Sequence, residues 1–295
     1  MTIADDDTAT VAITATDNTA AEPGDDGQFT VTMSAVSDQD TVVNYLVTGT
    51  AGDGSDFRTL SGSVTIAAGA TSATIHIETI NDAILEADET VIVTLTGTDD
   101  ADVSVDTTPG NATATVTIAD NDTATVSIKA LDGAAAEPTN PGQFRVTMTE
   151  FSDADTVINY AVSGTADSGN DYVTLSGSVT ILAGEKTALI DVTTIDDAVL
   201  EDNETVIVTL TGTDDVDVTV NTSTATVTIA DDDTATLSIA ATDGAAAEPG
   251  DDGQFTVTMS AVSDKDTVVN YAVSGTGGDG SDFTTLAGSL TILAG

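Results

Sequence analysis

One acidic segment constrains this chain more than any other feature. Asn81-Asp82-Ala83-Ile84-Leu85-Glu86-Ala87-Asp88-Glu89 returns 115 residues later as Asp196-Asp197-Ala198-Val199-Leu200-Glu201-Asp202-Asn203-Glu204. Each copy lies between two strongly alternating stretches, so it reads as a turn crowded with carboxylates. Two further signals recur in register with it. One is a triplet, Asp120-Asn121-Asp122 and then Asp231-Asp232-Asp233; the other is an Ala-Glu-Pro at Glu22, Glu137 and Glu248. The spacings of 115 and then 111 residues are domain-sized, well above the roughly 20 to 50 residues of solenoid repeats, so each copy should own a core.

The repeats divide the chain at the triplets. Residues 8–122 form repeat one, 123–233 repeat two and 234–295 a partial repeat three. Residues 1–7 match Val116–Asp122 and Val227–Asp233, with Met1 standing where the repeat has Val, and so read as the last strand of a preceding copy. Within a copy the pattern has period two. Ala114, Val116 and Ile118 alternate with threonines, as do Phe29, Val31 and Met33. Seven such runs fall near 8–15, 28–34, 41–48, 61–67, 71–80, 89–97 and 112–119, separated by Gly, Asp and Asn turns. The expected fold is all-β: tandem seven-stranded antiparallel sandwiches of immunoglobulin-like form. In repeat three, Phe255, Val257, Val268 and Val273 are then expected to face an incomplete core, poorly ordered or recruiting another chain.

An up-and-down strand order makes a geometric prediction. The first, third and fifth turns and the exit of the last strand share one pole. That pole gathers Glu22, Asp56, the 81–89 turn and the 120–122 triplet in repeat one. In repeat two it gathers nine carboxylates: Glu137, Asp171, Asp196, Asp197, Glu201, Glu204, Asp231, Asp232 and Asp233. The turns bearing Asp38, Asp40, Asp99, Asp100 and Asp102 fall at the opposite pole. With no linker between repeats, that pole of repeat two should face the acidic pole of repeat one.

Charge sets the partner class. The 50 Asp and Glu against 5 Lys and Arg give −45, which repels nucleic acid and anionic membranes and attracts cations. With no Cys and one His there is neither a disulfide framework nor material for a nucleophile–base triad. A sugar-cleaving carboxylate pair needs a cleft, usually aromatic-lined, and the chain has no Trp and 3% aromatics. No apolar run is long enough for a membrane span. Oxygen ligands without His or Cys favour Ca²⁺ over zinc or copper, and one divalent ion cannot balance nine carboxylates, so more than one ion is expected per complete repeat.

These signatures resemble the Calx-beta domain. They are Asp-Asp-X-X-X-Glu-X-X-Glu in the fifth turn, Gly-Thr followed six residues later by Asp-Phe or Asp-Tyr, the early Glu, and the closing Thr-Ile-Ala-Asp triplet. The resemblance implies calcium ligands at Glu22, Asp56, Asp82, Glu86, Glu89, Asp120 and Asp122, with a main-chain carbonyl at Ile84 or Val199, and the whole set recurs in repeat two. Asn81 and Asn121 depart from it where repeat two has Asp196 and Asp232, which should weaken repeat one. Repeat three retains Glu248 and Asp282. The resulting expectation is a non-enzymatic, extracellular or cell-surface calcium-binding array from a larger bacterial protein, its ions ordering the loops and stiffening the repeat junctions. The alternatives are an adhesion module for a host or cell-surface protein or glycan, and a halophilic acidic spacer without specific sites.

Overall fold

The computed structural model describes residues 6–295 and contains only strands and turns. Most of the leading strand expected over 1–7 therefore lies outside the described residues. Repeat one comprises β1 (Ala9–Asp17), β2 (Thr19–Ala21), β3 (Gly27–Met33), β4 (Thr41–Gly49), β5 (Ser63–Ile66), β6 (Ser72–Ile77), β7 (Ile84–Leu85), β8 (Glu89–Thr98), β9 (Val103–Val105) and β10 (Thr113–Ala119). Repeat two repeats the series, with one added strand, as β11 (Ala124–Asp132), β12 (Ala134–Ala136), β13 (Gly142–Met148), β14 (Phe151–Ser152), β15 (Thr156–Gly164), β16 (Ser178–Ile181), β17 (Thr187–Val192), β18 (Val199–Leu200), β19 (Glu204–Thr213), β20 (Val218–Val220) and β21 (Thr224–Ala230).

Each complete repeat is two facing sheets. In repeat one the orders are β6-β3-β1-β9 and β2-β10-β8-β4-β5, and repeat two matches them strand for strand. The seven expected runs are all present as strands, and two three-residue strands join them. β1 pairs antiparallel with β3 from Val11 to Asp17, with a bulge between Ala15 and Asp17, and the next strand, β2, lies in the other sheet parallel to β10. The extra strand β9 runs parallel to β1. The sandwich is thus antiparallel except at these two short edges.

Period-two alternation builds the core. Val11, Ile13, Phe29, Val31, Val43, Ile66, Val91, Val93 and Val116 turn inward and are fully buried. Each such side chain contributes roughly 1.5–3 kcal/mol on leaving water. Threonines cover the outer faces and pair across strands, as Thr16 with Thr30 and Thr94 with Thr113. Two glycines fix where the acidic pole begins. Gly49 and Gly164 have φ of +133°, and an added Cβ would stand 2.0 and 1.9 Å from the carbonyl oxygens of Thr90 and Thr205. The ends of β4 and β15 thereby close on the starts of β8 and β19, which carry Glu89 and Glu204.

The repeats meet by main-chain pairing. β7 of repeat one runs parallel to β14 of repeat two, and the Asp153 N–H donates to the Leu85 carbonyl at 3.1 Å. Leu85 is 3% exposed and belongs to the hydrophobic core of repeat two, not of its own repeat. The next junction repeats the pairing between β18 and β24 (Val262–Ser263), with a Lys265–Asp202 ion pair across it.

The remaining strands of repeat three are β22 (Leu237–Asp243), β23 (Gln254–Met259), β25 (Thr267–Asn270) and β26 (Ser289–Ile292). They form two separate two-stranded sheets, β22-β23 and β25-β26. Phe255 is 68% exposed, whereas its counterpart Phe144 is fully buried in repeat two. Val268 proves not to be a core position: its counterpart Val157 is only half-buried, and the inward residue of that strand is the next one, Ile158 in repeat two and Val269 in repeat three.

Two substitutions check this architecture by chemical denaturation of the full chain. Gly164→Ala should destabilise repeat two by about 1–3 kcal/mol, the cost of a strained φ that packing cannot relieve. Leu85→Ala should lower the stability of repeat two, although it lies in repeat one, by roughly 2–5 kcal/mol.

Candidate metal centre

Local hydrogen bonds shape the acidic turns before any ion is considered. The Asp82 carboxylate accepts from the Ile84 N–H at 2.8 Å, and Asp197 accepts from Val199 at 2.7 Å, each closing an Asx turn. Asp120 is a bracket: one oxygen accepts from the Asp122 N–H and the other from the Glu86 N–H, both at 3.1 Å. Asp231 does the same for Asp233 and Glu201. The exit of the last strand is therefore tied to the turn between β7 and β8. The Glu22 N–H donates to Ala119 at 3.2 Å, and Glu137 to Ala230 at 3.1 Å, which sets the early glutamate beside the same strand end. Asp56 accepts from the Gly52 N–H, and its carbonyl takes the Ile80 N–H.

Residues separated by up to a hundred positions converge as a result. In repeat one, Glu22, Asp82 and Asp122 present oxygens within 4.8 Å of one another, and so do Asp56, Glu86 and Glu89. In repeat two the groups are Glu137–Asp196–Asp232, Glu137–Asp231–Asp233 and Asp171–Glu201–Glu204. Asp120 and Asp197 stand outside these trios, in the bracket and the Asx turn. Asn81 donates to the Asp82 carbonyl at 2.8 Å, and Asn121 is exposed. Ile84 and Val199 lie half-buried in the junction strands β7 and β18.

The trios are electrostatically strained. Burial, then the hydrogen bond and charge of Asp56, then Glu86 and Asp153 push Glu89 up to about 8. Burial and Asp171 likewise raise Glu204 to about 8. Burial followed by surrounding carboxylates raises Glu86 and Glu137 to about 7, and lifts Glu22, Asp122, Glu201 and Asp233. Asp56 goes the other way: burial opposes its ionisation, but hydrogen bonds from Glu89, Ser55 and Gly52 outweigh that and hold it low. One buried oxygen each of Glu89, Asp122 and Asp233 has no hydrogen-bond partner. Orphaned anionic oxygens facing one another, with no His or Cys among the described trios, fit a hard cation.

Sequence reasoning did not assign three contributors. Asp153 raises Glu86 and Glu89, Glu150 raises Asp122, and Asp264 raises Glu201, in each case from the following repeat. The signal lay in the repeat alignment, since Asp153 is the counterpart of Asp38 in the turn expected to face the preceding acidic pole.

The sequence profile of the Calx-beta domain matches residues 4–122, 120–233 and 236–295. The chain belongs to the Calx-beta domain family. Its Calx-beta units are similar to the solved CBD12 from CALX1.2, at 19% identity and a TM-score of 0.33 over 74% of this chain and 99% of that one. The calcium binding domain CBD12 of CALX1.1 follows at 17% identity, a TM-score of 0.33 and the same coverage. The apo-form Calx CBD1 domain shows 23% identity and a TM-score of 0.32, over 39% of this chain and all of that one. A search of curated proteins gave no match. Among the described residues of these Calx-beta units, no helix is long and apolar enough to cross a membrane.

The raised carboxyls give the ion-free protein a definite pH dependence. Between the unfolded value near 4.5 and folded values of about 7 to 8, the folded state holds protons that the unfolded chain has released. Stability from these groups is therefore greatest at low pH and falls as pH rises through that window. The melting temperature of metal-stripped protein should drop between about pH 4.5 and 8, less steeply in Glu89→Gln/Glu204→Gln. A flat or rising profile would contradict the crowding described here.

Proposed function

We propose that the chain is a calcium-binding structural array, non-enzymatic and displayed outside the cell or on its surface. The observation that carries this reading is the convergence of carboxylates from four distant segments on one pole of each complete repeat, with buried oxygens left unpaired. Asp56, Glu86 and Glu89 would hold one ion in repeat one, and Glu22, Asp82 and Asp122 another. Repeat two offers three trios, with Asp196 and Asp232 adding charge where repeat one has Asn81 and Asn121. Asp120, Asp197, Asp231, Ile84 and Val199 belong to the same pole as shaping or main-chain contributors.

A divalent cation supplies the positive charge that these groups lack. The chain does the rest. Asp120 and Asp231 fasten the turn to the last strand, while β7 and β18 carry the same turn into the next repeat. Ordering the turn therefore orders the junction, so loading with calcium stiffens the array. Calcium bound only by the folded state adds directly to stability, by roughly 2.7 kcal/mol at 100 times its dissociation constant. The domain boundaries at 122 and 233 follow from the same reading, because each triplet closes one pole and opens onto the next repeat.

The test is thermal unfolding of the full chain in chelator, in millimolar Ca²⁺, and in Mg²⁺ or NaCl at matched ionic strength. A rise of several degrees specific to Ca²⁺, reduced by Glu201→Gln/Glu204→Gln, supports the site. Equal stabilisation by every salt would leave only charge screening, making the chain an acidic spacer. A Ca²⁺-dependent affinity for a host protein or glycan, measured on the same protein, would add the adhesion role.

A further inference from the structure

The five basic side chains of this protein are not used alike. Arg58, Lys186 and Lys265 each pair with a carboxylate, on Glu78, Glu150 and Asp202. Lys129 and Arg145 enter no ion pair among the described residues, in a chain with 50 Asp and Glu. They stand directly opposite each other, Lys129 on β11 and Arg145 on β13, on the outer face of the β17-β13-β11-β20 sheet. Like charges so placed destabilise an antiparallel pair. Arg145 Nε is also buried without a hydrogen-bond partner, so the sheet does not satisfy the guanidinium that it carries.

The sibling repeats show that the fold does not require this pair. The equivalent positions are Thr14 and Thr30 in repeat one and Ala240 and Thr256 in repeat three, paired in the same register. Two more outer positions of repeat two depart in the same way. Leu189 stands opposite Arg145 on its other side, where repeat one has Thr74. Leu131 follows Lys129 along β11, where repeat one has Thr16 and repeat three has Thr242. Leu189 is 50% exposed and Leu131 48%. The hydroxyls that Leu131 replaces are paired in the siblings, Thr16 with Thr30 at 2.9 Å and Thr242 with Thr256 at 3.1 Å. The carboxylates of the adjoining cross-strand row, Asp132 and Asp191 on either side of Gln143, are engaged elsewhere. Asp191 accepts from the Gln143 amide at 2.6 Å, and Asp132 from the Ala134 N–H at 3.1 Å.

We infer that this outer face of repeat two docks an acidic segment of another protein, with Lys129 and Arg145 sharing one of its carboxylates and Leu131 and Leu189 receiving apolar side chains beside it. A carboxylate between the two cations replaces their mutual repulsion with two attractions, and the guanidinium fork matches its pair of oxygens. An open sheet face suits a protein surface better than a small molecule, whose sites are concave. Arginine beside apolar contact area is also the composition in which binding energy concentrates at protein interfaces. Against a sulfated or uronic polysaccharide the two exposed leucines would have no role. A second copy brings a charge of −45 with it, so a locally acidic segment on a less acidic protein is the better occupant. Repulsion from the rest of the chain is screened beyond about 8 Å at physiological salt. All four residues lie within β11, β13 and β17, not in the acidic turns, so the inference stands apart from the calcium reading.

NMR titration of the full chain at physiological ionic strength provides the test. The probe is an acetylated pentapeptide alternating leucine and glutamate, compared with the same peptide carrying glutamine for glutamate and with dextran sulfate. The acidic peptide is expected to shift resonances of β11, β13 and β17 and to leave the equivalent strands of repeat one unmoved. Lys129→Thr/Arg145→Thr, which installs the residue type that repeat one carries at both positions, should fold and weaken binding by on the order of tenfold or more. A double-mutant cycle on these two positions should give repulsive coupling in the free protein and attractive coupling with the acidic peptide bound. No shift on this face, equal binding of the glutamine peptide, or binding that survives loss of both cations overturns the inference. Stronger binding of dextran sulfate than of the peptide overturns it in favour of a polysaccharide. A dimer of the chain alone that Lys129→Thr/Arg145→Thr abolishes in sedimentation overturns it in favour of a second copy.

Discussion

Carboxylates packed against one another with too little solvent to dissipate their charge are the constraint on which this structure turns. Two unit charges about 4 Å apart repel by roughly 1 kcal/mol in water and about 4 kcal/mol at the effective dielectric near a protein surface. Each pole holds several such pairs, and Asp56 and Asp171 are each only 5% exposed. Partial protonation is the ion-free answer, and the pairing of a low Asp56 with a high Glu89 shows how one proton is shared between two neighbours. A cation would answer it better, because it would also engage the oxygens of Glu89, Asp122 and Asp233 that lack a hydrogen-bond partner.

The sandwich tolerates this conflict by keeping it out of the core. The inward rows are aliphatic and aromatic, the outward rows threonine, and the acids sit in turns whose shapes are set by Asx bonds and by the Asp120 and Asp231 brackets. Loops that would otherwise spring apart are thus held by neutral main-chain donors. Repulsion acts instead on what the loops connect to, and they connect to the next repeat: β7 lies between Asp82 and Glu86, and Leu85 is buried in a core that is not its own.

The alternation made the fold class and most strands legible, because period two sustained over several residues puts every second side chain on one face, which an extended strand does and a helix does not. Convergence of the acids followed from strand parity alone. The parity argument also put Asp38-type turns against the preceding pole, where Asp153 is found. What stayed hidden was short: β2 and β9 have three residues each, too few for periodicity, and β2 lies beyond a bulge between Ala15 and Asp17 that no composition signals. The role of Leu85 was hidden for another reason. One apolar residue inside an acidic turn looks like local packing, and only the strand pairing across the junction shows whose core it fills. Which residue of the pair joins a trio was not legible either: Asp82 does so in repeat one while also closing the Asx turn, but in repeat two Asp196 takes that place while Asp197 closes the turn.

The two junctions reach the same pairing by different chemistry, and the difference follows from sequence. At the first, Leu85 is buried and Phe151 is covered by the Lys186 ammonium at 4.3 Å from the ring, itself paired with Glu150 at 3.3 Å. At the second, Leu200 is only half-buried, Val262 replaces Phe151, and the cross-junction tie is the exposed Lys265–Asp202 pair. Exposed ion pairs contribute little and weaken with salt, whereas a buried leucine does not depend on ionic strength. Three of the five basic residues of the chain enter ion pairs, and two of those three sit at junctions. In a chain this acidic, the scarce positive charge is placed where one repeat must hold the next.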